Sequence, residues 1–163
     1  MTPSRDVLTG AVAVRRATPN DVPGIAALVA DWAEEEILLP RTAADVARAV
    51  DDYVVAVDAR GRVLACGALR EYSPSLAELV SLAVARDAHG RGLGRLVVAA
   101  VERLALARGH ASLFAHTVNA PFFEAVGYAP VERSLYPEKV GRVHTVCLHR
   151  DLLGEAEALA AAA

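Results

Sequence analysis

Val12 and Val14 stand two apart ahead of Arg15 and Arg16, the period of a short strand. The period then changes. Thr18-Pro19-Asn20-Asp21 reads as a helix start, with Thr18 at the N-cap, Pro19 at the first helical position and Asp21 completing a capping box. Val22, Ile25, Leu28, Val29 and Trp32 follow at steps of three and four, which predicts one buried helical face. The acidic run Glu34, Glu35, Glu36 ends that pattern. The connector Ile37-Leu38-Leu39-Pro40-Arg41 leads to a second capping signature, Thr42 with Asp45, and a short helix to residue 50. Residues 53–58 read as a strand, Ala59-Arg60-Gly61 as a turn, and 62–72 as its hairpin partner. Ser73-Pro74-Ser75 breaks the chain before another strand over 76–85.

A glycine-dense turn follows, from Ala88 through His89, Gly90, Arg91, Gly92, Leu93 and Gly94. Leu93, Leu96, Val97, Ala100, Val101, Leu104 and Ala107 then repeat at three and four, predicting a long helix that stops at Gly109. Strands are expected at 112–117 and 143–150, with a short helix over 120–126 capped by Gly127. The order β-α-α-β-β-β-α-β-α-β is mixed α/β (α+β), and no internal repeat or linker divides it. The expected organisation is a flexible stretch over 1–10, one domain over 11–151, and an Ala-rich tail over 152–163 that frays.

Composition narrows the function classes. A chain of 163 residues, 54% hydrophobic and 23% charged, closes one core without staples. Its net charge of −3 argues against a broad nucleic-acid-binding face and against a polybasic membrane contact. Two cysteines, Cys66 and Cys147, are too few for a disulfide scaffold and read as buried strand filler. No apolar run is long enough to cross a bilayer, and residues 1–9 lack a signal-peptide core, so a cytoplasmic location is expected. His110, His116, His144 and His149 show no ligand spacing, and no metal site is expected.

Chemistry concentrates at the alternating Gly90, Gly92 and Gly94. They let the backbone approach a ligand and aim several N–H groups at one point, next to the positive end of a helix. A diphosphate suits such a seat, although a ligand-free tight turn would use the same glycines. The Walker pattern is excluded because Arg95-Leu96 follows Gly94. The dinucleotide fingerprint is excluded as well, since its third glycine is misplaced and Ser112-Leu113-Phe114-Ala115 occupies the region of its acidic residue.

Leu82-Ala83-Val84, then His89-Gly90-Arg91-Gly92-Leu93-Gly94, resembles the acetyl-CoA motif of the GNAT superfamily of N-acetyltransferases, Arg/Gln-x-x-Gly-x-Gly/Ala. The segment from Asn119 through Pro121, Phe122 and Phe123 to Gly127-Tyr128 looks like the family's second cofactor motif, and the likeness runs over residues 12–150. It implies a single domain with a mixed, mostly antiparallel central sheet flanked by helices, and acetyl-CoA as co-substrate with no metal. By match, the strand amides of Leu82, Ala83 and Val84 meet the pantetheine. The turn of His89, Gly90, Arg91, Gly92, Leu93, Gly94 and Arg95 meets the diphosphate, and Asn119 and Phe122 line the cofactor. His89 departs from the usual Arg or Gln; protonated it can donate to phosphate, and near pH 7 much of it is neutral.

The same resemblance places a catalytic carboxylate at Glu78, working through ordered water or with a raised pKa. Phe123 stands where many members carry a Tyr general acid, which leaves solvent, Tyr128 or Tyr136 for the leaving thiolate. Within the superfamily the shared stretches Ile37 to Arg41, Cys66-Gly67-Ala68-Leu69, Pro121-Phe122-Phe123 and Pro137-Glu138-Lys139-Val140 resemble the acetyltransferase domain of N-acetylglutamate synthase and its short relatives. That implies a small-molecule amine acceptor, an amino acid and possibly glutamate-like, its carboxylate gripped by Arg41 and Arg142. Val80 departs from the basic residue common there, and arsenic-resistance-type acetyltransferases share much of the pattern. The alternatives are a non-catalytic acetyl-CoA-binding module and a peptide or protein N-acetyltransferase. No nucleic-acid or membrane partner is expected, and a homodimer, common among relatives, is left open.

Overall fold

The structure, a computed structural model, describes residues 11–132 and 146–154. Arg142, Tyr136, His144, the 137–140 stretch, the predicted N-terminal segment 1–10 and all but residues 152–154 of the predicted tail 152–163 lie outside the described residues. The chain forms β1 (Ala13–Arg16), α1 (Val22–Glu34), α2 (Ala43–Arg48), β2 (Tyr53–Val57), β3 (Val63–Ser73) and β4 (Leu76–Val84). It continues through α3 (Leu93–Ala107), β5 (Ser112–Thr117), α4 (Ala120–Ala125), β6 (Ala129–Pro130) and β7 (Val146–Asp151). The strand order in the sheet is β1-β2-β3-β4-β5-β7-β6. Neighbours β1/β2, β2/β3, β5/β7 and β6/β7 run antiparallel, and β4/β5 run parallel. This is the mixed, mostly antiparallel α/β sheet expected from the sequence. Among the described residues no helix is long and apolar enough to cross a membrane.

Two boundaries moved for local reasons. The Thr18 start opens a 3-10 turn over Pro19–Asp21, and the α-helix begins at Val22. Asp21 is drawn back: its carboxylate accepts from the Thr18 N–H at 2.8 Å and from Arg15 at 2.7 and 3.1 Å. Its own N–H reaches the Thr18 carbonyl at 2.9 Å, a three-residue bond that tightens the turn. Helix α2 stops at Arg48 rather than residue 50, because Ala49 and Asp52 N–H bond three residues back and start a second 3-10 turn. Strand β6, two residues containing a proline, is too short to leave a period.

By contacts the chain groups into two compact units. In the first, residues 11–68 and 81–101, Ile25 and Val29 of α1, Val46 of α2, all of β2 and Val97 and Val101 of α3 are buried. Strand β2 is buried at every position, which is why Val54-Val55-Ala56-Val57 shows no alternation. Helix α1 ends in a Schellman motif: Ile37 N–H reaches the Trp32 carbonyl at 3.1 Å and Glu36 N–H the Ala33 carbonyl at 3.0 Å. Glu36 therefore occupies the left-handed position, at φ 60°, that usually falls to glycine.

In the second unit, residues 69–80 with the described residues after 101, the core includes Leu69, Leu79, Leu113, Phe114, Phe123, Tyr128 and Leu148. Glu102 is one of the buried carboxylates of this unit. Arg150 donates to both its oxygens, at 3.0 and 2.8 Å, and the Tyr128 hydroxyl donates at 3.1 Å, so the charge is paired and hydrogen-bonded.

Candidate active site

In the first unit β4 ends at Val84 and a 3-10 turn over Arg86–Ala88 leads into the glycines. Gly90 has φ +79° and Gly92 φ +75°, and Arg91 between them is not left-handed. An alternation of backbone hands is the kind that can aim successive N–H groups at one point, as in an anion nest. A Cβ built on either glycine meets nothing within 4 Å, so the space beside both is open. The bond from Leu96 N–H to the Gly92 carbonyl, 3.3 Å, opens α3, a 15-residue helix whose first-turn N–H groups have no carbonyl inside the helix. Such a seat fits the diphosphate of coenzyme A.

His89 is engaged by neighbours within the first unit. Its ring stacks on Trp32, centroids 5.6 Å apart and planes 7° from parallel, and Nε2 donates to the Val84 carbonyl at 3.0 Å. That bond leaves Nδ1 as the ring nitrogen not engaged with the Val84 carbonyl. His89 thus braces the turn against the end of β4. The same Val84 carbonyl accepts the Trp32 Nε1–H at 3.0 Å. Arg86 lies over the indole, 4.1 Å from its centroid, and pairs with Glu35 at 2.6 Å.

Upstream on β4, Ser81 sits at φ +55°, a left-handed non-glycine residue inside a strand. The conformation costs about 1–2 kcal/mol, and neighbours hold it. The Tyr53 hydroxyl donates to Ser81 Oγ at 3.3 Å, and the Cys66 thiol donates to the Ser81 carbonyl at 3.3 Å. The kink immediately precedes Leu82, Ala83 and Val84, of which Ala83 is buried and the other two half-buried. Burial pushes the Tyr53 phenol above its ordinary pKa, while the Ser81 bond and the positive charge of Arg41 pull it down. Arg41 is half-buried and donates to the Pro40 carbonyl at 3.0 Å. Burial pushes the Cys66 thiol up to about 12, so it is packing and not a nucleophile.

Glu78 lies on the same strand within the second unit, its side chain 1% exposed. The Tyr72 hydroxyl of β3 donates to Oε1 at 2.7 Å, and His116 Nδ1 of β5 lies 3.4 Å from Oε2. Glu78 is in register with Phe114, whose ring stacks with Tyr72 at 6.0 Å and meets the His116 ring edge-on at 5.7 Å. Asn119 caps α4, its Oδ1 accepting the Phe122 N–H at 3.3 Å, and Phe122 packs edge-on against Phe123 at 5.3 Å. Tyr128 is committed elsewhere: its hydroxyl serves Glu102, and burial followed by that carboxylate raises its pKa, which makes it a poor acid for a thiolate.

Arg41, residues 82–84 and the whole turn from His89 to Arg95 belong to the first unit, with Arg91 and Arg95 exposed. Glu78, Asn119 and Phe122 belong to the second. Sequence reasoning missed Trp32, Tyr53, Ser81, Tyr72 and His116. Trp32 read as core because its spacing fits the buried face of α1. Ser81 was the visible exception, a polar residue between Val80 and Leu82. His116 and Phe114, two apart on a strand, share a face, but nothing in the sequence says that Glu78 lies opposite them.

The Acetyltransferase (GNAT) family profile matches residues 25–129. An N-acetyltransferase of Chlorobaculum tepidum is 34% identical over 137 residues, 84% of this chain and 88% of that protein. The amino-acid acetyltransferase of Mycobacterium tuberculosis is 33% identical over 121 residues, 73% of this chain and 69% of its own length. Among solved structures, the N-acetylglutamate synthase of Neisseria gonorrhoeae, complexed with coenzyme A and N-acetyl-glutamate, superposes with TM-score 0.77 at 25% identity. That match covers 86% of this chain and 35% of the gonococcal one; the chain likewise spans 30% of the amino-acid acetyltransferases of Pectobacterium and Escherichia coli. The anion nest before α3 and a family match over most of the described sheet lead to one conclusion: the chain belongs to the acetyltransferase (GNAT) family and is an acetyl-CoA-dependent N-acetyltransferase.

Proposed function

We propose that the chain acetylates the α-amine of a small amino acid, with the glutamate-like acids first among candidates. The observation that carries the reading is the make-up of β4. It holds a buried, doubly hydrogen-bonded carboxylate at Glu78 and a kink at Ser81, and it runs through residues 82–84 toward the glycine nest. The backbone of the nest, with Arg91 and Arg95, takes the coenzyme diphosphate, and the amides of Leu82, Ala83 and Val84 take the pantetheine. Asn119 and Phe122 contribute to the wall of the cofactor site. Acetyl-CoA supplies a thioester carbon open to attack by a neutral amine. A thiol leaving group near pKa 8.5 needs little help, so Phe123 in the usual Tyr position is no obstacle.

The proton chemistry belongs to the polar group built around Glu78. An α-ammonium must lose a proton before its nitrogen can attack, and a positioned base contributes on the order of 100-fold or more. Arg41 is suited to the acceptor carboxylate, because its planar fork matches that group. The names of the amino-acid acetyltransferase relatives and of the gonococcal synthase support an amino-acid acceptor.

The test is a thiol-release assay over a panel of free amino acids and short peptides. Turnover with a free acidic amino acid is expected, and Arg41→Ala should raise the KM for it about 10-fold or more, the loss of one charged hydrogen bond, with the acetyl-CoA KM unchanged. Absence of thiol release above blank with every free amino acid refutes the reading, and turnover confined to peptides replaces it with a peptide acetyltransferase.

A further inference from the structure

We propose that His116, not Glu78, is the group that takes the proton from the acceptor ammonium, and that Glu78 and Tyr72 are positioning residues that set the His116 tautomer. The inference rests on the acetyl transfer proposed above and names the atom that performs its proton step. Its ground is the hydrogen-bond pattern around a single carboxylate. Glu78 Oε1 accepts the Tyr72 hydroxyl at 2.7 Å, and Oε2 faces His116 Nδ1 at 3.4 Å. A carboxylate oxygen accepts, so Nδ1 carries the hydrogen and Nε2 keeps the basic lone pair. The 3.4 Å separation is long for a hydrogen bond, as catalytic contacts often are before substrate binds.

The alternatives differ in what a new proton would disturb. A proton arriving on Glu78 removes the carboxylate charge that strengthens the contacts from the Tyr72 hydroxyl and the imidazole. A proton arriving on His116 Nε2 leaves both contacts intact and turns the long contact into an ion pair between imidazolium and carboxylate, which is the stronger kind. The incoming proton then completes a neutral buried pair in place of a lone buried charge. This is the logic of a carboxylate-oriented histidine, in which the acid holds the ring and does not itself become protonated.

The surroundings fit. His116 and Glu78 are buried to similar degrees, with side chains 4% and 1% exposed. Among the described residues, the titratable groups near the imidazole include Glu78 on β4, with Tyr72 of β3 bonded to it, and the buried Cys147 directly across on β7; the ring also meets Phe114 edge-on. In the step, Nε2 takes one proton from the ammonium. The freed nitrogen pair forms the C–N bond at the thioester carbon while the C–S pair departs on sulfur. The second nitrogen proton goes to the thiolate, and His116 returns its proton to water.

The experiment compares steady-state kinetics of the full chain with three variants and reads the histidine tautomer by long-range 15N–1H NMR. His116→Asn keeps a donor at the Nδ1 position and lacks Nε2. It should lose about 100-fold or more in kcat, the usual worth of a general base, with the acetyl-CoA KM unchanged. In His116→Ala, added imidazole should restore part of the rate. Glu78→Gln presents an amide that favours the other tautomer and should also lose kcat, and NMR should find the His116 proton moved from Nδ1 to Nε2. A His116→Asn variant within about fivefold of wild type, beside an inactive Glu78→Gln, overturns the proposal and leaves the acetyltransferase reading standing, since a true base is worth on the order of 100-fold. An Nε2–H tautomer in the wild-type chain overturns it as well, whether or not an acceptor has been found. Failure of every amino acid in the panel refutes the proposed function instead.

Discussion

Replacing Gly92 by alanine tests the nest, on which cofactor binding depends. A Cβ at Gly92 meets nothing within 4 Å, so the substitution brings no clash, and its whole effect comes from φ +75°. Holding an L-residue there costs about 1–2 kcal/mol, offset by about 0.5–1 kcal/mol because glycine loses more freedom on folding. The net destabilisation is about 1 kcal/mol, a fall of about 2–4 °C in Tm for a chain of this size. Coenzyme binding should suffer more. Relaxing φ rotates an N–H away from the diphosphate, and one charge-assisted hydrogen bond is worth about 1.5–3 kcal/mol, or roughly 10- to 150-fold in Kd. Gly109→Ala is the matched control, with φ +89°, likewise nothing within 4 Å, and a position just beyond the other end of α3. It should lose the same stability and bind coenzyme A as wild type does. Titration calorimetry with coenzyme A and thermal unfolding of all three proteins decide the matter. Equal weakening of binding by both substitutions, or none by Gly92→Ala, would refute the nest.

Arg15 beside Asp21 holds that carboxyl below its ordinary pKa, so its stabilisation is present above about pH 4 and is lost as the pH falls through the lowered native value. Asp21→Asn should cost about 1–3 kcal/mol in urea unfolding at pH 7, with the gap to wild type closing in acid; a gap that does not depend on pH contradicts the assignment. Tyr128→Phe should lower stability by about 1 kcal/mol while sparing kcat, and a kcat loss on the order of 100-fold would instead make Tyr128 the general acid. Glu36→Gly relieves a left-handed residue at the end of α1 and should raise Tm by about 2–4 °C; an unchanged or lower Tm means that its side chain contributes more than the strain costs.

Much of the architecture was legible in local pattern. The spacing of Val22, Ile25, Leu28 and Val29 and the capping pair Thr42 and Asp45 mark helices, because periodicity and caps act over a few residues. The left-handed turn at Gly90 and Gly92 was readable for the same reason, since only glycine adopts that conformation cheaply. Boundaries set by competing short bonds, at Asp21 and Ala49, were not.

Residue roles divide along the same line. Local chemistry was enough to mark a glycine turn ahead of a long helix, and the resemblance of that motif and its neighbours gave the family and its cofactor. It could not say that His89 would turn onto Trp32 and the Val84 carbonyl, that Tyr128 would be taken by Glu102, or that Tyr72 and His116 would meet Glu78. Each of those contacts joins residues on separate elements, some of them far apart in the chain. Spacing along a chain carries information about neighbours a few residues away, whereas a proton-handling cluster on a sheet depends on which strands lie side by side and in which register. Folding alone brought β3, β4 and β5 into that order and placed Glu78 opposite Phe114.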